Sequence, residues 1–299
     1  MIKADKYIKD TISKILAVGH EDENPRPKWE DGSPAHSRFI TGVYNSYNIA
    51  LGEFPITTLR NTALKGAFHD IESIYIKQTN ILSAMDPSIH SWWKDFVVGT
   101  TEVKPFGEVD STHLPNIGAT YGHTVERYNL MNILLSGMEK DPFSRRHMLS
   151  LWQNQQMVED PKALTPCAFL TMWSIFKRYE GSYGVDLTLI QRSQDFCTTA
   201  SINPAQYVML GMMVCNHLTH VTGKLHSLEN FNHLVQNCHI YLRHIPAAME
   251  LLEKNPLTEQ PLIKLKCNPK NFYEHTIDDF EFIIPKGITK LESKLELAV

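Results

Sequence analysis

Apolar residues recur at helical or strand-like spacing along most of the chain. Spacings of three and four residues predict helices over residues 6–19, 59–76, 128–140 and 203–218. Short apolar runs predict buried strands over residues 148–152, 167–175 and 185–190, and two strands around a turn over residues 39–44 and 49–58. The charged, proline-containing residues 21–34 predict a loop, which we expect to be mobile.

Helices and buried strands are mixed along the chain without a regular strand–helix–strand alternation. This order predicts an α+β fold. Residues 86–122 contain Gly, Pro and Thr at short intervals, so their spacing does not assign a secondary structure. The chain has no repeat and no low-complexity segment, and its length allows one large domain or two.

The composition is that of a globular protein with a sizeable core. Of the 299 residues, 42% are hydrophobic and 21% are charged, and the net charge is -4. An acidic chain does not favour nonspecific binding to nucleic acid, so DNA is not an expected partner. The first residues lack the apolar run of a signal peptide, and no apolar stretch approaches the ~20 residues of a membrane span. We therefore expect a cytoplasmic protein without membrane contacts.

The cysteines are odd in number and form no CxxC pair: Cys167, Cys197, Cys215, Cys238 and Cys267. This pattern predicts free thiols in a reducing compartment and no metal site. Four of them are expected to be inert core residues. Cys167 differs, because it follows Pro166 and has charged residues at a plausible strand separation.

Cys167 is followed by residue types that suit a bound nucleotide. In chain order these are Gln191, Arg192, Ser193, Asp195, Asn203, His239 and Tyr241. Together they supply a thiol nucleophile, a guanidinium, a carboxylate, amides and hydroxyl-binding groups. A guanidinium near the sulfur would favour the thiolate, which is the attacking form.

Several of these residues also have a purely structural interpretation. Arg145 and Arg146 could form a solvated basic turn or a bidentate phosphate clamp. Asn203 could cap the helix that follows, or its amide could match the O4 and N3–H edge of uracil. Trp93 and Phe96 could be core residues or a flat wall for a pterin ring.

Longer motifs resemble the thymidylate synthase family, in the form found in Bacillus-type bacteria and their phages. The motifs are DPFSRRH at residues 141–147, LTPC at 164–167, QRSQD at 191–195 and CHIYLRH at 238–244. Residues 118–122 and 296–299 extend the resemblance over nearly the whole chain. It implies one catalytic domain over residues 1–299, with central mixed β-sheets packed with helices, and a homodimer formed through sheet faces.

The same resemblance implies a reaction between dUMP and 5,10-methylenetetrahydrofolate. Cys167 would attack C6 of the pyrimidine, so that C5 takes the one-carbon unit. The implied catalytic residues are Cys167, Asp70, Tyr121, Asn203 and Asp195. The implied dUMP ligands are Arg26, Gln191, Arg192, Ser193, Asn203, His239 and Tyr241, with Arg145 and Arg146 from the other subunit. The implied folate ligands are Trp93, Phe96, Asp195 and the closing tail Ala298–Val299.

The chain departs from the family pattern near the expected methylene carbon. Asp70 replaces a glutamate, Ser73 a tryptophan and Phe96 a second tryptophan, while Glu72 is expected to face elsewhere on the helix. A shorter carboxylate and smaller neighbours would leave room for an ordered water. This slightly favours hydration to 5-hydroxymethyl-dUMP, in a bacterial or phage-infected cytoplasm, over formation of dTMP and dihydrofolate.

A third hypothesis is a catalytically inactive homologue that binds nucleotide or RNA. The retained Cys167, Asp195 and Ala298–Val299 tail argue against it, because a protein that only binds needs neither a nucleophile nor a lid.

Overall fold

The computed structural model of the chain describes residues 1–103, 111–266 and 268–299. In this part of the chain the α-helices are α1 (Lys3–Val18), α2 (Leu64–Ile71), α3 (His90–Trp93), α4 (Gly122–Arg127), α5 (Leu130–Lys140), α6 (Asn154–Glu159), α7 (Phe196–Thr199), α8 (Ile202–Thr222) and α9 (Ile245–Glu253). The strands are β1 (His20–Glu21), β2 (Ser37–Asn48), β3 (Gly99–Val103), β4 (Thr112–Asn116), β5 (Met148–Ser150), β6 (Ala168–Lys177), β7 (Tyr183–Asp195), β8 (His226–Tyr241), β9 (Leu262–Leu265) and β10 (Phe280–Ile283).

A six-stranded mixed sheet forms the centre of the molecule, in the order β1-β2-β8-β7-β6-β5. Its neighbouring strands are antiparallel except β7 and β8, which are parallel and joined by α7 and α8. A parallel strand–helix–strand unit is therefore present among the described strands, although the predicted elements showed no regular alternation of this kind. Two small antiparallel sheets, β3–β4 and β9–β10, complete the strands.

Helix α8 lies in the main hydrophobic core, where it packs against α2 and against the sheet. Thirteen of its residues are buried, so its apolar positions surround the helix rather than forming one stripe. A second core joins α1 and α9 to the other end of the sheet, around Ile12 and Ile240. These two cores fix the carboxyl ends of β7 and β8 between helices.

Most of the predicted elements are confirmed. Helices α1, α5 and α8 match the helices predicted over 6–19, 128–140 and 203–218 to within two residues at the ends that fall short, and β6 and β7 match the predicted buried strands, with β6 starting one residue late. The predicted strand at 148–152 is reduced to the three residues of β5. The helix predicted over 59–76 begins at Leu64 and continues after Ile71 as a π-helical turn, Glu72–Ile76.

The strand predicted over residues 49–58 is wrong. After Asn48 the chain forms a 3₁₀ turn, Ile49–Leu51, in which the Asn48 side chain accepts a hydrogen bond from the Leu51 N–H. Gly52 then adopts φ 81°, a left-handed conformation that ends extended pairing. The residues predicted as the first strand of the pair belong to the single long strand β2.

The combination of helices with a mixed sheet confirms the α+β prediction. None of the described helices is both long enough and apolar enough to span a lipid bilayer.

Candidate active site

A cavity of about 450 Å³ opens beside the carboxyl ends of β7 and β8. It brings together all of the predicted site residues except Arg145 and Arg146. These lining residues are Arg26, Asp70, Trp93, Phe96, Tyr121, Cys167, Gln191, Arg192, Ser193, Asp195, Asn203, His239, Tyr241, Ala298 and Val299. A large concave site that collects polar groups from distant parts of the chain is the usual form of a small-molecule site.

Cys167 lies at the cavity wall, immediately before β6. Its N–H donates to the Tyr121 hydroxyl at 3.0 Å, and its carbonyl accepts from the Arg192 N–H at 2.8 Å. The thiol is half-buried, whereas Cys197, Cys215 and Cys238 are buried. Burial raises the pKa of those three thiols, which supports the prediction that they are inert. Cys267 lies outside the described residues.

Arg192 holds the turn that carries the thiol. Its guanidinium donates to the carbonyls of Pro166 and Thr165, at 2.9 and 2.7 Å, and its Nη2 lies 3.5 Å from the Cys167 sulfur. A cation at this distance stabilises negative charge on sulfur, so the arrangement suits a thiolate nucleophile.

Tyr121 is held in a strained conformation behind the thiol. Its φ of 44° is uncommon for a residue with a side chain. Gly122 follows at a point where an added side chain would collide with the backbone of Thr79. The Tyr121 ring packs edge-on against Trp93, with 5.3 Å between ring centroids.

Asp70 is buried at the end of α2 and accepts two hydrogen bonds. Trp93 Nε1 donates to one carboxylate oxygen at 2.7 Å, and Gln206 Nε2 donates to the other at 2.6 Å. Burial raises the pKa of Asp70 to about 6, although both hydrogen bonds act in the opposite direction. Sequence reasoning missed Gln206, because no motif links it to Asp70.

Glu72 and Ser73 do not take over the role of the missing family residues. Glu72 accepts from Lys77 at 3.1 Å and lies 3.2 Å from His69 Nδ1, as expected for a residue that faces elsewhere. Ser73 is buried and donates to the His69 carbonyl at 2.8 Å. The smaller side chain at this position is therefore bonded within the helix.

Asp195 and His239 are partners across β7 and β8 at the edge of the cavity. Burial alone would raise the pKa of Asp195, but His244, His239 and Thr198 outweigh that effect and lower it. Burial lowers the pKa of His239, so its imidazole is neutral near pH 7. Its Nε2 is buried without a hydrogen-bond partner among the described residues, which is typical of an atom that bonds to a ligand.

Tyr241 follows on the same face of β8 as His239, with 4.9 Å between ring centroids. This confirms the prediction that the two side chains share one face of a strand. Burial raises the pKa of Tyr241, so its hydroxyl stays protonated and can donate to a ligand.

The C-terminal tail is docked onto the loop that carries Arg26. Val299 and Lys28 exchange two backbone hydrogen bonds, at 2.7 and 2.9 Å. Arg243 joins the same two segments, because it donates to Asp31 at 2.6 Å and to Glu296 at 3.3 Å. Sequence reasoning predicted the tail but missed Arg243.

Arg145 and Arg146 are exposed on the turn between α5 and β5, outside the cavity of their own chain. The phosphate clamp of Arg145 and Arg146 stays a prediction.

Comparison with known proteins identifies the family of the chain. A family model described as thymidylate synthase matches residues 6–291. The chain belongs to the thymidylate synthase family. Thymidylate synthases of Streptococcus pneumoniae strain 70585 and Lactococcus lactis subsp. lactis strain IL1403 are each 36% identical to it, over the full length of both chains. The solved structure of thermostable thymidylate synthase A from Bacillus subtilis superposes with a TM-score of 0.78 at 26% identity, covering 99% of each chain.

Membership confirms the predicted fold and the predicted enzyme class. Thymidylate synthases use methylenetetrahydrofolate and dUMP and are generally dimeric. The cavity is lined by residue types that suit a pterin, namely the aromatic rings of Trp93 and Phe96 and the buried carboxylate of Asp195.

Proposed function

We propose that the protein transfers the one-carbon unit of 5,10-methylenetetrahydrofolate to C5 of dUMP and releases dTMP and dihydrofolate. The observation that carries this proposal is the half-buried Cys167 sulfur, 3.5 Å from Arg192, in the same cavity as Asn203 and Asp70. Full-length relatives that are named thymidylate synthase support dTMP as the product.

The surroundings of Asp70 also support dTMP over the hydroxymethyl nucleotide. Hydration requires a water next to the exocyclic carbon, in space left by the shorter carboxylate. Both Asp70 oxygens are already bonded, and Trp93 packs against Phe96 and Tyr121 beside it. The sequence-based preference for hydration remains a prediction, which the product assay below tests.

In the proposed reaction the first step is nucleophilic attack by Cys167. The thiolate bonds to C6, and the electron pair of the C5–C6 double bond moves towards O4, which makes C5 nucleophilic. The Asn203 amide donates to the developing negative charge on O4. The folate supplies the one-carbon unit and, for dTMP, the hydride. Asp70 and Tyr121, with their hydrogen-bonded surroundings, accept the proton that C5 loses and supply the proton that O4 gains.

The remaining residues hold the two substrates. The phosphate is bound by Arg26, Arg192 and Ser193. The base is bound by Gln191 and Asn203, and the ribose hydroxyl is bound by His239 and Tyr241. Asp195, Trp93 and Phe96 bind the pterin, and Ala298–Val299 close the cavity against water.

We also propose that the chain acts as one domain in a homodimer whose sheet faces meet. Large apolar side chains are exposed on the sheet strands, among them Tyr44, Met148 and Phe176. Arg145 and Arg146 stand exposed just before β5, from where they would reach the phosphate bound by a second copy. We propose a cytoplasmic location. We also propose that DNA is not a partner, because the chain is acidic.

One assay tests the activity and the product together. The purified protein is incubated with dUMP and methylenetetrahydrofolate, and nucleotide and folate products are identified by mass spectrometry. We expect dTMP with dihydrofolate. A hydroxymethyl nucleotide with tetrahydrofolate would show hydration instead. Binding of dUMP without any product would support the inactive homologue.

A further inference from the structure

A series of hydrogen bonds, part-buried at Asn203 and buried at Asp70, joins the amide of Asn203 to the carboxylate of Asp70. Gln191 Nε2 donates to Asn203 Oδ1 at 3.1 Å, and Asn203 Nδ2 donates to Gln206 Oε1 at 3.0 Å. Gln206 Nε2 then donates to Asp70 Oδ2 at 2.6 Å. Every donor in this series points the same way, towards the carboxylate.

The two ends of the series fix this direction independently. Ionised Asp70 can only accept, so the Gln206 atom that faces it must be the nitrogen. At the other end Gln191 Nε2 also donates to the Ser193 carbonyl at 2.9 Å, and a carbonyl can only accept. Asn203 is therefore held with its oxygen towards Gln191 and its nitrogen towards Gln206.

The orientation of Asn203 matters because an asparagine amide is ambiguous. A half-turn of the amide exchanges its oxygen and nitrogen, so an unrestrained Asn203 could present donor and acceptor in either order. Uracil presents N3–H and O4, whereas cytosine presents N3 and an amino group, which is the opposite order. The neighbours of Asn203, and not Asn203 alone, therefore decide which base fits.

We propose that Gln206 is a specificity-determining positioning residue, which transmits the acceptor-only character of ionised Asp70 to Asn203 and so selects uracil over cytosine. Gln206 lies three residues after Asn203 on α8, so the two side chains meet on one face of the helix. It is only 3% exposed, so water does not easily replace its hydrogen bonds. The inference rests on the proposed function in one respect, namely that Asn203 reads the base.

The test compares Gln206→Met with Gln206→Glu, using the affinities of dUMP and dCMP measured separately by calorimetry without folate. Methionine keeps the shape of the side chain but bonds to neither neighbour. The Asn203 amide can then make a half-turn and lose only one hydrogen bond. The ratio of dUMP affinity to dCMP affinity should therefore fall about tenfold. Glutamate still accepts from Asn203 Nδ2, so Gln206→Glu should keep the wild-type preference.

Gln156→Met is the matched control, because Gln156 is a glutamine of similar burial that bonds instead to Ala119 and Thr124. It should leave the dUMP preference unchanged. If Gln206→Met does not fold, Gln206→Leu gives the same readout. An unchanged preference in a folded variant that still binds dUMP would overturn the inference, as would an equal loss in Gln206→Met and Gln206→Glu. Failure of the wild type to bind dUMP would instead refute the proposed function.

Discussion

Asp70 shows how burial sets the chemistry of a single residue. The carboxyl group is removed from water, and this raises its pKa to about 6 despite hydrogen bonds from Trp93 and Gln206. A group that titrates near neutral pH can take up and release a proton within one reaction cycle. The sequence identified the replacement of glutamate by aspartate, but not the donors that hold the shorter side chain.

The raised pKa of Asp70 predicts a specific dependence of stability on pH. A carboxyl group with a raised folded-state pKa stabilises the fold most when protonated, so this stabilisation is lost as the pH rises through about 6. Compared with the non-titrating variant Asp70→Asn, the wild type should lose about 1 kcal/mol of unfolding free energy between about pH 5 and about pH 7. Urea unfolding of both proteins at both pH values measures this difference. A difference that stays constant, or that changes in the opposite direction, would contradict the burial argument.

Among the elements, those with regular apolar spacing followed from the sequence and those built on distant contacts did not. The spacing of Ile8, Ile12 and Ile15 predicted α1, and all three are buried. The segment after Asn48 looked like a strand because it is apolar, yet a side-chain cap and Gly52 turn it. Gln206 had no local signal, because its partner Asp70 lies 136 residues away.

The loop over residues 21–34 and the C-terminal tail are another pair joined by distant contacts. Arg243 donates to Asp31 and Glu296, and its guanidinium lies 4.9 Å from the centre of the Trp29 ring. The sequence predicted each segment separately but gave no sign that one arginine connects them.

Removal of Arg243 should therefore loosen the tail. In Arg243→Ala we expect the KM for methylenetetrahydrofolate to rise by about threefold to tenfold, because exposed ion pairs each contribute little. The KM for dUMP should change much less, and the folate effect should shrink at high salt. Lys294→Ala is the matched control, since Lys294 pairs with Glu296 at 3.1 Å but does not reach the loop. Equal effects of the two variants would refute a specific role for Arg243.

At the scale of the whole molecule, one cavity collects residues from almost the full length of the chain, from Asp22 to Val299. The order of motifs in the sequence was enough to predict this set through the family resemblance. The exposed Arg145 and Arg146 are the exception, and their proposed role requires a second copy.

A shared active site predicts complementation between two inactive variants. Cys167→Ser removes the nucleophile of its own site, and Arg145→Ala weakens the phosphate clamp of the partner's site. When the two variants are unfolded together and refolded as mixed dimers, one site per mixed dimer should be intact. At a low concentration of dUMP, we expect the refolded mixture to show activity that neither variant shows alone. Additive residual activity, with no gain on mixing, would place Arg145 outside the site.

The most direct test of the central claim is tritium release from dUMP labelled at C5, measured with methylenetetrahydrofolate in the wild type and in Cys167→Ser. Loss of the C5 hydrogen requires prior attack on C6, and a serine hydroxyl is a far weaker nucleophile than a thiolate. We expect rapid release by the wild type and none above background by Cys167→Ser, with dUMP affinity nearly unchanged. Release by Cys167→Ser at the wild-type rate would contradict covalent catalysis by this thiol.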